Sequence, residues 1–512
     1  MSELLTGKGE AAARYEALVV ERQPYLDMAR ECSKYTIPSL IPPEGHTASS
    51  KLPTPWQSLG SDGVTNIASK LMLVLLPPNN KFFRFMMTEE VQKLVQNEGE
   101  KTLFDAALAE AETATINEIE TTGVRAPLFE GLQHLAVAGN VLLQQLTRSK
   151  ASKGGIRVFP LSQYVVQRDP AGNVLEIVIE EEIAPVALPE HVYEAVKESI
   201  KKDEKTVKLY THIKREQKEY TIQQEVKGVV IPESIGTYNL DDLPYLALRW
   251  KRIDGEHYGR GLCEQKIGDL KSCETLSQAM VEGTAIGAKV VILVNPNGLT
   301  RMDTLVEAPN GAVREGLAED VSIVRVEKMA DFSIAKSMLD KIEDRLQRAF
   351  LMHSSIQRQG ERVTAEEIRY MAQELENALG GVYSVFSEEL QLPLVKLTFN
   401  SLVKQGRMPR LDERLVRPAI VTGIDGLGRS QELQRLDLAL AGAVQVLGPA
   451  AMQQVNPREY MIRRFTALGI DQNGLLKSEQ QLALEQQQAQ EAMLVDKVGS
   501  AAIKAGADMI NQ

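Results

Sequence analysis

The stretch that decides the fold reads GLCEQKIGDLKSCETLSQAMVEGTAIGA (261–288), a turn-rich insert (290–326), then FSIAKSMLDKIEDRLQRAFLM (332–352). It continues as a polar loop, HSSIQRQGERV (353–363), which opens onto TAEEIRYMAQELENALGG (364–381). The order is helix, small insert, helix, loop, broken helix. That is hard to read as an enzyme core. It reads as a protruding helical hairpin of the kind that many copies pack side by side to wall a pore. The second half of the first helix is small, with Ala279, Gly283, Ala285, Gly287 and Ala288. Small side chains let backbones approach closely. The return helix carries Ile334, Met338, Ile342, Leu346 and Phe350 at spacing four, with Lys336, Asp340, Glu343, Asp344 and Gln347 opposite. The insert holds two Asn-Gly pairs, each just after a proline, and the strand-like runs VVILV and VSIVRV.

Thr364-Ala-Glu-Glu367 is a capping box: the Thr364 hydroxyl accepts from the third amide and Glu367 reaches back to the cap amide. The helix it starts runs past Gly380 and Gly381 to Pro393. Two glycines inside a helix cost roughly 1 kcal/mol each relative to alanine, so a kink is expected there. The loop before it holds Arg358 and Arg362 with Gln357 and Gln359 beside them and one acid, Glu361. In a monomer this is a solvated loop. In a ring each arginine becomes a collar of positive charge suited to transient phosphate contact.

Outward from this segment the chain is α+β and mainly helical. Helical runs cover Ala11–Cys32, Ser61–Leu76, Leu94–Ile119 and Leu128–Leu146. From Ile156 to Ile253 the period changes to two, with strands expected at 164–168, 174–179, 207–213, 220–226 and 245–252. A short helix near His191–Ile200 interrupts them. No strand-helix-strand alternation appears, so a doubly wound sheet is not expected. Beyond Leu411 the chain turns helical again, and the Gln/Ala-rich tail from Ser478 has too few apolar residues to bury alone. It either pairs with copies of itself or frays.

Composition narrows the class. Apolar content of 43% and charged content of 25% are those of a globular protein. The longest apolar runs fall far short of the roughly 20 residues of a spanning helix, so no membrane role is expected. MSELLTGKGEAAARYEAL lacks the apolar core of a secretory signal. The three cysteines have no CxxC spacing and fit a reducing cytoplasm. The net charge of −11 argues against a protein that grips nucleic acid over a broad surface. It suits one that lets nucleic acid slide past.

Catalytic signatures are missing. There is no GxxxxGK[ST], so no phosphate-loop ATPase is expected. Gly259-Arg-Gly261 and Gly426-Leu-Gly428 lack the strand and acidic partner of a dinucleotide site. The six histidines are scattered without metal-ligand spacing, and no GxSxG elbow occurs. The expectation is no catalytic residue, no metal and no cofactor. The rivals to a ring are a metal-dependent nuclease with dispersed carboxylates and a capsid accessory protein that forms no pore.

The chain resembles the portal proteins, or head-to-tail connectors, of short-tailed double-stranded DNA phages of the autographivirus type. The resemblance rests on ARYEALVVERQPYLDMARECSKYTIPSL (13–40), QSLGSDGVTNIASKLMLVLLPP (57–78), HYGRGLCEQKIGDLKSCETL (257–276) and RVTAEEIRYMAQELENALGGVYSVFSEELQLPLV (362–395). It implies a twelve-membered ring at one capsid vertex of the virion, assembled in the host cytoplasm. On this chain it implies a wing over 1–260 and a stem over 261–352, with a clip at about 290–328. A tunnel loop follows at 353–363, then a kinked wing helix over 364–410, a crown over 411–475 and a C-terminal barrel helix over 476–512. The implied partners are double-stranded DNA, the terminase large subunit, scaffolding and major capsid proteins, and tail adaptor and internal core proteins. Assigning Arg358 and Arg362 to DNA contact comes from position and charge, because tunnel-loop sequence varies within the family.

Overall fold

The computed structural model describes residues 10–47, 49–78, 81–88, 98–148, 154–197, 200, 205–287, 291–309, 311–324, 329–352, 375, 378, 381–409, 416–420, 437–442, 445, 460 and 461. The chain divides into two compact units, residues 1–94 with 109–423, and residues 95–108 with 424–512. In the second, the Tyr460 hydroxyl donates to Asp437.

Helix α1 (Glu10–Lys34) is followed by a crossing segment rich in proline (Pro38, Pro42, Pro43, Pro53 and Pro55), then α2 (Leu59–Leu75), β1 (Phe83–Met87), α3 (Glu98–Thr121) and α4 (Arg125–Ala138). The expected helix over 128–146 is cut at Gly139. That glycine takes a left-handed φ of 73° at the C-cap of α4, a conformation glycine adopts without steric cost. A Cβ there would lie 2.5 Å from the Gly261 nitrogen. Next in sequence, Asn140 locks against Gly259, donating to its carbonyl at 2.8 Å and accepting from its amide at 2.7 Å. The chain therefore leaves as a strand, β2 (Asn140–Leu146).

Strands β3 (Gly155–Phe159), β4 (Tyr164–Arg168) and β5 (Val174–Ile183) come next, then helix α5 (Glu190–Val196). Strands β6 (Val207–Arg215), β7 (Glu219–Val226), β8 (Val229–Asn239) and β9 (Tyr245–Arg249) complete the β region. It forms two antiparallel sheets, ordered β3-β2-β9 and β4-β5-β6-β7-β8. The period-two reading located β4 to β7 but not β8. Pro232 and Gly236 interrupt that strand, and its pairing with β7 shifts between Ile222 and Gln224. Proline is tolerated in such an edge strand.

One face of the five-stranded sheet contributes Ile177, Ile179 and Ile213 to a hydrophobic core, with Leu26 and Ala29 of α1, Leu142, Phe159 and Tyr258. Arg22 is buried there, donating to the carbonyls of Ser162 at 2.9 Å and Tyr164 at 3.2 Å. The other face meets the start of α1. Arg14 donates to Glu176 at 2.5 Å, and the Ala11 amide donates to the buried Glu225 carboxylate at 3.0 Å. A carboxylate from a distant strand thus satisfies an orphan amide of the helix N-terminus.

Helices α6 (Leu262–Gln265) and α7 (Ile267–Gly287) lead into the insert, which contains β10 (Val291–Val294), α8 (Met302–Val306) and β11 (Val321–Val324). Helix α9 (Met329–Ala349) returns. After the loop come α10 (Val382–Phe386), a π-helical turn (Ser387–Gln391) and α11 (Leu392–Lys404). Strand β12 (Val416–Ile420) pairs antiparallel with β1. Neither strand of this pair was anticipated, because each is five residues long and its partner lies over 300 positions away.

Candidate functional site

The hairpin has a fixed foot and an exposed outer half. At the foot, Leu270 and Cys273 of α7, Ile342 and Leu346 of α9, and Phe350 just past the end of α9 are buried. Phe350 sits on Gly63 of α2, where a Cβ would come within 2.5 Å of its ring. Two side chains of α2 then seize the end of α9. Asn66 donates to the Phe350 carbonyl at 2.8 Å, and Lys70 donates to the Leu351 carbonyl at 2.7 Å. These contacts satisfy carbonyls that a helix C-terminus leaves orphaned. Leu351 has φ 54°, an uncommon conformation for a bulky residue. It turns the chain sharply at the point where residues 353–363 begin.

Polar contacts tie the hairpin to itself and to the crossing segment. Arg345 of α9 donates to Asp269 of α7 at 2.8 Å. Lys271 pairs with Glu31 of α1 at 2.5 Å. The Glu274 carboxylate accepts the Trp56 amide at 2.9 and 3.1 Å. The thiols at the foot are packing groups. Burial pushes Cys32 up to about 12 and Cys273 to about 11, and holds Cys263 well above the ordinary thiol range. A buried thiol of this kind is inert.

Further out, the same helices lose their cover. The spacing-four row of α9 is buried at positions 342, 346 and 350 but exposed at Ile334 and Met338. A step of four drifts about 40° around a helix, so the row winds off the intramolecular contact as it rises. On α7, Val281 and Ile286 are exposed. The insert is held by hydrogen bonds more than by a core. Asp320 accepts the Thr300 amide at 3.0 Å, and Thr300 accepts the Leu317 amide at 2.9 Å. The VVILV and VSIVRV runs do supply strands, β10 and β11, and the two pair antiparallel. Around this frame Leu299 is 80% exposed, Val306 75% and Val313 97%. Exposed apolar side chains concentrated on one projecting element mark an interaction surface.

The singled-out residues divide as follows. Gly283 of α7 is taken up inside the hairpin: a Cβ there would lie 2.6 Å from the Phe332 ring of α9. Ala279 is exposed on the same helix, and Gly287 is its last residue. Gly381 has φ 87° and stands at the N-cap of α10. A second irregularity follows it, the π turn at Ser387–Gln391. Pro393 supplies no N–H to the preceding turn, and the helical ladder widens there. The turn is pinned to the body, since Arg249 donates to Glu389 at 3.1 Å and Gln391 donates to the Leu75 carbonyl at 2.7 Å. Gln357, Arg358, Gln359, Arg362, Thr364, Glu367 and Gly380 lie outside the described residues, as do most of the crown and all of the barrel helix.

Among the described residues no three His, Cys, Asp or Glu side chains group as a metal site. Two histidines have structural duties. His212 meets Glu176 at 2.6 Å beneath α1. Burial of His134 lowers its pKa to about 4. No helix among the described residues is long and apolar enough to cross a membrane.

A clamped foot beneath a projecting, apolar-surfaced hairpin defines a component of a larger assembly. The family model described as bacteriophage head to tail connecting protein matches residues 8–476, and the chain belongs to that family. It is 43% identical over 491 residues to the portal protein of Enterobacteria phage T3, covering 94% of this chain and 92% of that one. It is 41% identical over 500 residues to the portal protein of Escherichia phage T7 (96% and 93%). With the portal protein of Enterobacteria phage SP6 it shares 33% over 501 residues (95% and 94%). Among solved structures it is similar to a chain of the neck of an empty GTA particle computed with C6 symmetry. There the TM-score is 0.37 at 10% identity, over 76% of this chain and 86% of that one. The role of the chain is that of a portal in the virion, at the junction of head and tail.

Proposed function

We propose that copies of this chain assemble side by side into a closed twelve-membered ring, with the hairpins walling an axial passage for double-stranded DNA. The observation that carries the reading is the exposed apolar surface on the outer half of the hairpin and its insert. Burying one such Val, Ile or Met contributes roughly 1.5–3 kcal/mol. Several must be buried at each interface to offset an association cost of about 4–15 kcal/mol. The interface is heterologous, so it closes only if the rotation between copies does. Ala279 and Gly287 give the helices room to approach their neighbours.

The loop 353–363 forms the narrow part of the passage. Arg358 and Arg362, flanked by Gln357 and Gln359, make weak repeated contacts with phosphate. The capping box Thr364–Glu367 fixes the start of the helix behind the loop, and Gly380 with Gly381 sets its bend. The ring is assembled in the host cytoplasm. It docks the terminase large subunit and meets scaffolding and major capsid proteins, tail adaptor and internal core proteins. It performs no catalysis. Negative-stain imaging of the purified protein tests the reading: rings with an axial hole are expected, and a field of single copies at every concentration overturns it.

A further inference from the structure

The chain has two tryptophans, and their settings are opposite. Trp250 is 1% exposed and packs edge-on against Phe386 at 5.8 Å. Trp56 is 49% exposed, at the end of the crossing segment Leu-Pro-Thr-Pro-Trp. The backbone at Trp56 is held on both sides. Its own amide is bound by both oxygens of Glu274. Its neighbour Gln57 is buried, donating to the Tyr35 carbonyl at 2.8 Å and accepting the Gly60 amide at 2.8 Å. Pro55 precedes it, with φ already fixed. Little conformational entropy remains to be lost there on binding. Rigid, exposed tryptophans of this kind are the residues that dominate protein interfaces.

Position says which partner. Glu274, Gln278, Val281 and Ala285 share one face of α7, at spacings of four and seven. Val281 and Ala285 are exposed on it. Glu274 brings Trp56 to the foot of that face, about 10 Å along the helix axis from Val281. The tryptophan therefore continues the apolar surface of the hairpin downward toward the wing.

We infer that Trp56 is an anchor of the contact between adjacent copies of this chain, buried by a second copy when the ring closes. This rests on the ring reading above. The test uses full-length Trp250→Phe protein, in which Trp56 is the sole indole. Emission and acrylamide quenching are followed across a dilution series in parallel with mass measurement. The expected result is a blue shift and at least a threefold loss of quenching as rings form. Trp56→Ala in otherwise native protein should raise the concentration for half-assembly at least tenfold, with an unchanged circular dichroism spectrum for the single copy. Rings that form while Trp56 stays red and fully quenchable overturn the anchor and leave the ring standing. Burial of Trp56 only when some other virion component is added also overturns it. Absence of rings in native protein removes the ring reading and the anchor together.

Discussion

Replacing Gly63 with alanine sets two known effects against each other at the foot of the hairpin. Gly63 lies inside α2, where alanine gains about 1 kcal/mol over glycine in helix propensity. Against this, the new Cβ would sit 2.5 Å from two atoms of the Phe350 ring and 3.0 Å from its Cβ. Phe350 cannot retreat freely. It is fully buried, and its carbonyl and that of Leu351 are held by Asn66 and Lys70. Overpacking of this kind costs about 1–3 kcal/mol, and a contact this short belongs at the upper end. The expected net effect is a loss of about 1–2 kcal/mol, confined to the α2–α9 contact. A chain of two units has no single unfolding free energy, so the readout is local hydrogen exchange. Amides of 342–350 should lose protection about five- to thirtyfold, because 1.4 kcal/mol is a factor of ten. Adding Phe350→Leu to Gly63→Ala should restore part of it. Protection that rises in the single variant, as propensity alone requires, would show that Phe350 yields to the new methyl at no net cost.

Other outcomes follow from the same geometry. Gly283→Leu should reduce assembly while leaving hydrogen exchange of strands β4 to β7 unchanged, because Phe332 closes over that position; altered protection in those strands contradicts this. The double variant Arg358→Ala, Arg362→Ala should leave assembly intact and lower packaged-DNA retention, each exposed contact being worth only about 0–1 kcal/mol; particles that fill and hold DNA normally remove the arginines from that role. Acid should loosen the body in two steps. His134 is kept neutral by burial, with its pKa lowered to about 4; its stabilisation is complete above pH about 6.5 and declines toward 4, by about 3 kcal/mol in all. Burial opposes the charge of Glu176, but hydrogen bonds from His212 and Arg14 outweigh it and hold the pKa at about 2. Its contribution is complete above the ordinary carboxylate range and is lost as pH falls through 2. His134→Leu should flatten the first step in an acid titration followed by circular dichroism; an unchanged slope between pH 6.5 and 4 counts against the assignment. Purified protein should hydrolyse no ATP, and turnover abolished by a point change in this chain would contradict a purely structural role.

The hairpin was legible because each of its parts has a local signal. Helical spacing marks α7 and α9, Asn-Gly turns mark the insert, and VVILV and VSIVRV mark its ladder. What holds the hairpin was not legible. Gly63 and Phe350, or Glu274 and Trp56, are hundreds of positions apart and meet only through the fold. The spacing-four row of α9 reads in the sequence as one apolar stripe, yet a row at that spacing winds around the helix, and its outer members Ile334 and Met338 are left uncovered. Helix 128–146 was overread because the break depends on Gly139 adopting a left-handed turn against Gly259 to Gly261, which periodicity does not register. The same limit hid β8, whose alternation is disturbed by Pro232, Gly236 and a register shift.

The exposed outer hairpin is proposed as one half of a contact repeated around a closed ring. Mass measurement of the purified full chain, with imaging of the same sample, tests it most directly. Closed rings with an axial hole and a mass near twelve times the 56.6 kDa of one chain, about 680 kDa, are expected, dissociating when Val281 and Met338 are both replaced by charged residues. A single species of one-chain mass across micromolar concentrations and moderate salt, with no rings in the images, would contradict it.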